Sequence, residues 1–105
     1  MQSFERMLAA GKDGALLRYS IGNEYAKTGN WAAAADSLQR AVALDGDYTA
    51  AWKLYGKALE ATGHAADALV AFRSGIEAAR RKGDRQAEKE MGVFARRIER
   101  ALSGG

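Results

Sequence analysis

Shifted by 34 residues, the chain matches itself: Gly22 falls on Gly56, Thr28 on Thr62, Gly29 on Gly63, Ala32 on Ala66 and Ala34 on Ala68. Between the identities, apolar character is kept, with Ile21 over Tyr55, Tyr25 over Leu59, Leu38 over Phe72, Ala41 over Gly75 and Val42 over Ile76. A unit repeated at this period cannot bury its own apolar face and must stack on a neighbour. Glycine in a helix interior costs about 1 kcal/mol relative to alanine. Gly22 and Gly56 therefore predict two places where a second helix packs against bare backbone.

The repeated unit reads as helical. Proline is absent, valine and isoleucine are scarce, and Ala, Leu, Glu, Lys, Arg and Gln dominate. Five short clusters interrupt the pattern: GKDG at 11–14, TGN at 28–30, DGD at 45–47, TGH at 62–64 and KGD at 82–84. Each offers a glycine to end one helix and most offer an Asp or Asn to cap the next. Five breaks predict six helices. Their apolar stripes are Phe4, Met7 and Leu8 behind Ser3 as N-cap; Leu17, Ile21 and Tyr25; and Trp31, Ala34, Ala35, Leu38, Ala41 and Val42. Trp52, Tyr55 and Leu59 line the fourth, Ala65, Ala68, Leu69, Phe72 and Ile76 the fifth, and Ala87, Met91, Phe94, Ala95, Ile98 and Leu102 the sixth.

A chain of 105 residues supports one small domain. No window is long and apolar enough for a membrane span, and the first residues lack the basic and apolar segments of a signal peptide, so the expected location is cytoplasmic. Without cysteine there is neither a disulfide framework nor a thiolate metal site. The formal charge is +3, and all of the excess lies in residues 77–105, where eight basic residues face five acidic ones.

The first unit, through Gly22, Tyr25, Gly29, Ala34, Leu38 and Ala41, and the second, through Trp52, Gly56, Leu59, Gly63, Ala68 and Phe72, resemble the tetratricopeptide repeat (TPR) family. The resemblance implies an all-α solenoid, a right-handed superhelix of helix-turn-helix units. It divides a single domain, 1–105, into an N-terminal helix and turn (1–14), two repeats (15–48 and 49–82), and a capping helix with its tail (83–105). The family's linker proline is missing, with Gly46 and Arg80 in its place, which predicts that the fifth helix runs on to Lys82. A third period would place Glu90, not Gly92, at the packing glycine, so the sixth helix is read as a cap.

No catalytic, cofactor-binding or metal-ligating set is expected. His64 is alone and sits in a turn, Gly-rich phosphate loops lack their strand and their Lys-Ser or Lys-Thr, and the carboxylates are scattered. The stretch RRKGDR at 80–85, with Arg96, Arg97 and Arg100, invites nucleic-acid binding, but Glu77, Asp84, Glu88, Glu90 and Glu99 interleave with it and no stacking aromatics accompany it. The resemblance implies instead a protein-interaction module whose concave face is lined by the first helix of each unit. That face takes Tyr19, Ser20, Asn23 and Lys27 from the first unit and Lys53, Leu54, Lys57 and Glu60 from the second, with the sixth helix as its far wall. Three lysines against one glutamate predict a protein or peptide ligand with acidic residues around an apolar anchor. The family's clamp for chaperone C-termini is not reproduced: Tyr19 and Leu54 replace a lysine and an asparagine, and Asp84 and Glu88 stand where basic residues are required. A homo-oligomeric assembly element is the alternative, with a monomer or weak oligomer expected.

Overall fold

The computed structural model describes residues 2–11 and 13–104. Six helices follow in order: α1 (Gln2–Ala9), α2 (Ala15–Lys27), α3 (Trp31–Leu44), α4 (Thr49–Ala61), α5 (Ala65–Lys82) and α6 (Arg85–Leu102). Among the described residues there is no strand. Each helix packs on its neighbour in sequence, α4 also touches α2 on one side and α6 on the other, and the whole measures 47 × 30 × 18 Å.

The helices stop where the glycines stand. Gly29, Gly63 and Gly83 have φ of 78°, 81° and 70°, the left-handed region that side chains disfavour. At these three ends the next residue's N–H reaches back to close the last turn, from Asn30 to the Tyr25 carbonyl, from His64 to Leu59 and from Asp84 to Ala79. Thr28 and Thr62 owe their recurrence to the same turns, since each hydroxyl donates to a carbonyl of the ending helix, Thr28 to Tyr25 and Thr62 to Ala58. The acidic and amide caps are fewer than the sequence suggests. Asn30 accepts from the Ala33 N–H and Asp84 from that of Ala87, but α4 begins behind Tyr48 and α5 behind His64 without side-chain caps. Asp47 is drawn into an ion pair with Arg81 instead, at 2.7 Å. Since α1 begins at Gln2, Ser3 lies inside its first turn rather than at its N-cap.

The packing glycines do what their placement predicts. A Cβ on Gly22 would lie 2.6 Å from Leu38 Cγ, and one on Gly56 would lie 2.5 Å from Phe72 Cε1; both partners are fully buried. Ala34, Ala41, Ala51, Ala58 and Ala68 are also fully buried, so the alanine-rich segments are the close-approach surfaces of the stack. Gly75 repeats the arrangement between α5 and α6, where an added Cβ would meet Met91 Sδ at 2.5 Å. All three contacts join a glycine to the residue sixteen positions on.

The α6 helix seals the second unit with Met91, Ala95 and Ile98, which join Phe72, Ala68 and Ala79 in one cluster. Three members of its predicted stripe behave differently: Ala87 and Phe94 are partly buried and Leu102 is 52% exposed. Its register also departs from the 34-residue frame. The α5 helix has 18 residues where α3 has 14, and only Gly83 and Asp84 separate it from α6, whereas residues 45–48 separate α3 from α4. As a result α6 opens 36 residues after α4 (49 to 85), and Gly92, not Glu90, stands where Gly56 stands, eighth in its helix.

Candidate functional site

The first helices of the units, α2 and α4, lie side by side with α6 and make one continuous face. Three contacts of equal spacing fix the α4–α6 half of it. Lys53 Nζ pairs with Glu90 at 3.2 Å, Lys57 Nζ stands 5.4 Å from the Phe94 ring centre, and Glu60 pairs with Arg97 at 3.8 Å. Each partner lies 37 residues on, so the two helices run parallel. Arg97 also stands 5.4 Å from the same ring, which places two cations against one aromatic.

The α2–α4 half is built from rings and apolar groups. Tyr19 stacks obliquely on Tyr48 with centres 5.0 Å apart, and with Leu54 it packs over the cluster of Ala34, Leu38 and Ala58. Among the described residues no ion pair joins α2 to α4. Of the remaining residues expected in the groove, the Ser20 hydroxyl donates to the Leu16 carbonyl, Asn23 is half-buried, and exposed Lys27 pairs with Glu24 within its own helix. The eight residues thus divide. Lys53, Lys57 and Glu60 engage α6, and the other five belong to the α2–α4 side. Glu90, Phe94 and Arg97 are the residues of this face that sequence reasoning missed, and the charge balance of the face stays positive once they are counted.

Elsewhere the basic cluster is partly occupied: Arg80, Arg81 and Arg97 have carboxylate partners, and Lys82, Arg85, Arg96 and Arg100 have none among the described residues. Arg80 bonds Glu77 and Glu88, which raises its own pKa, Glu88 contributing more; Arg81 holds Asp47 and Arg73 holds Glu99. An acidic hollow of about 310 Å³ lies between α3, α4 and the turn before α5, with Asp36, Asp67 and Tyr55 on its lining. Burial, and then the charges of Asp67 and Asp36, push the Tyr55 phenol up. His64 is exposed there, its Nδ1 2.9 Å from the Thr62 hydroxyl. Among the described residues no group of three or more His, Cys, Asp or Glu is placed to hold a metal, and no helix is long and apolar enough to cross a membrane.

No protein-family model matches the chain. A TPR repeat-containing protein of Pseudomonas aeruginosa is 48% identical over 101 residues, 96% of each chain. The chain belongs to the tetratricopeptide-repeat family. Solved structures agree with this. A protein from Bordetella parapertussis superposes with a TM-score of 0.79 at 42% identity, over 95% of this chain and 87% of its own. A tetratricopeptide repeat domain protein from Salinibacter ruber gives 0.76 at 26% identity, over 83% of this chain and 97% of its own. This TPR chain is therefore a helical-repeat solenoid of a type that in general mediates protein–protein contacts.

Proposed function

We propose that this protein is an interaction module that takes a partner peptide or helix along the face of α2, α4 and α6. The observation that carries the reading is the parallel alignment of α4 with α6, because it extends the face of the first helices across α6 as one surface instead of a separate ridge. Tyr19 and Leu54 supply an apolar rest, half-buried and so already ordered; Ser20 and Asn23 supply hydrogen-bonding groups; Lys27, Lys53 and Lys57 supply positive charge, with Glu60 at the far end. A ligand carboxylate reaching Lys53 would exchange with Glu90, and one reaching Lys57 would displace only its contact with Phe94. The proposed ligand accordingly carries an apolar or aromatic anchor and acidic residues, with micromolar affinity of the kind small transient interfaces give.

The test is an Asn23→Ala, Lys57→Ala double variant, which leaves the Lys53–Glu90 pair in place. It should keep the helicity and melting temperature of the wild type and lose partners that the wild type retains in a pull-down from the native cell. Recovery of the same partners in the same yield would move the binding surface elsewhere. Exposed apolar side chains at both ends of the stack, Met7 and Leu16 at one and Val93 and Leu102 at the other, favour association of copies as a second reading, which light scattering on the purified chain measures.

A further inference from the structure

Gly22, Gly56 and Gly92 are each the eighth residue of their helix. At the first two, a large side chain of the following helix fills the space, Leu38 at Gly22 and Phe72 at Gly56. At the third, a Cβ would come within 4 Å of nothing but Arg96 Nη1, at 3.3 Å, the end of a flexible side chain on the same helix. Gly92 lies in a groove of about 640 Å³ between α5 and α6, with Ile76 and Ala95 beside it. The groove therefore has the floor of a helix-packing site and holds no helix.

Its charges say what would fill it. Glu77, Glu88 and Glu99 on the lining are all paired, with Arg80 and Arg73. The charged residues of the lining with no ion pair are Arg85, Lys89 and Arg96, all positive and all on α6. The chain's own N-terminal end does not offer the complement, since α1 carries one Glu and one Arg.

We propose that the α5–α6 groove is a second docking site, for an amphipathic helix of another protein. Its leucine or phenylalanine enters at Gly92, as Leu38 does at Gly22, and its acidic residues meet Arg85, Lys89 and Arg96. Arg96 then leaves its place over Gly92 and pairs with the incoming helix. This site is separate from the α2–α4–α6 face and stands or falls independently of it.

The probe is a labelled peptide of residues 30–44, which contains the Leu38 knob, carrying Gln39→Glu, Arg40→Glu and Ala43→Glu at positions exposed in this fold. Titrated with the full chain, it should bind saturably below about 1 mM. Leu38→Ala in the peptide should weaken binding tenfold or more, as should Gly92→Leu in the protein and, separately, the surface pair Arg85→Glu, Lys89→Glu. Asn23→Ala on the other face should change nothing. Circular dichroism confirms that each variant is folded, and the surface pair keeps the test intact if Gly92→Leu is not. Absence of saturable binding, or undiminished binding to either folded variant, overturns the proposal. So does a wild-type dimer that Gly92→Leu converts to monomer, because the groove would then belong to a second copy.

Discussion

Gly56 and Gly92 hold the same place in helices that differ in what comes next. A helix follows α4, and its Phe72 ring fills the gap; among the described residues none follows α6, and the gap is open apart from one arginine side chain. The comparison shows that a packing glycine is a feature of a helix, while the knob belongs to whatever is laid across it. It also separates two costs that a buried glycine confounds, since the helix-propensity penalty is present at both sites and the steric constraint at one only.

The strongest way to break the comparison is to remove the knob. Phe72→Ala should cost about 3 to 5 kcal/mol, as expected for a fully buried ring. Phe94→Ala, on α6 and partly buried, should cost less, about 2 kcal/mol, together with its two cation contacts. Equal losses in denaturant melts would mean that α6 is as deeply built in as the repeats. Next, Gly56→Leu should destabilise by about 1 to 3 kcal/mol through overpacking against Phe72, and the same change at Gly92 should leave stability unaltered or raised. Alanine at Gly92 sharpens the point: relief of the propensity penalty is worth about 1 kcal/mol. In a domain of this size that raises the melting temperature by about 4 to 8 °C. At Gly56 the same substitution should lower it.

Smaller effects belong to the charges. Glu90→Gln removes the part-buried pair with Lys53 and should cost about 1 kcal/mol or less, declining further with salt. The smallest effect lies at the opposite end, where Asp13 is held below the usual carboxylate range chiefly by hydrogen bonding to the Arg18 guanidinium. A depressed pKa contributes stability above the unfolded-state value and loses it as pH falls through the folded one. Asp13→Asn should therefore melt slightly lower than wild type at neutral pH and converge with it in acid, below about pH 4.

Much of the solenoid was legible because its signals are local. The turn glycines, the packing glycines and the alanine faces each impose a backbone or steric demand that one residue type meets, so a 34-residue shift exposes them. The register of α6 was misread although the end of α5 at Lys82 was anticipated, because the expectation for α6 kept to the 34-residue frame. Gly83 ends α5 four residues later, relative to the repeat, than α3 ends at Leu44, and counting along the repeat hides that difference. The face shared by α4 and α6 was half legible for a related reason. Lys53, Lys57 and Glu60 were assigned to one face through the family resemblance, but their partners Glu90, Phe94 and Arg97 follow only from how far α6 slides along α4. The caps show a third kind of limit. Asp47 has the right chemistry for an N-cap and is placed next to one, yet an arginine 34 residues away takes its carboxylate.

The sixteen-residue spacing of the glycine contacts also bears on how the chain reaches this state. Gly22 meets Leu38, Gly56 meets Phe72 and Gly75 meets Met91, each contact closing a loop no longer than one hairpin. Short loops cost little entropy to close. Chains dominated by such near-neighbour contacts fold in about microseconds to milliseconds. Each hairpin can therefore form while the next is still being synthesised, and the growing edge of the stack is at every stage an α-helical surface waiting for the residues that follow.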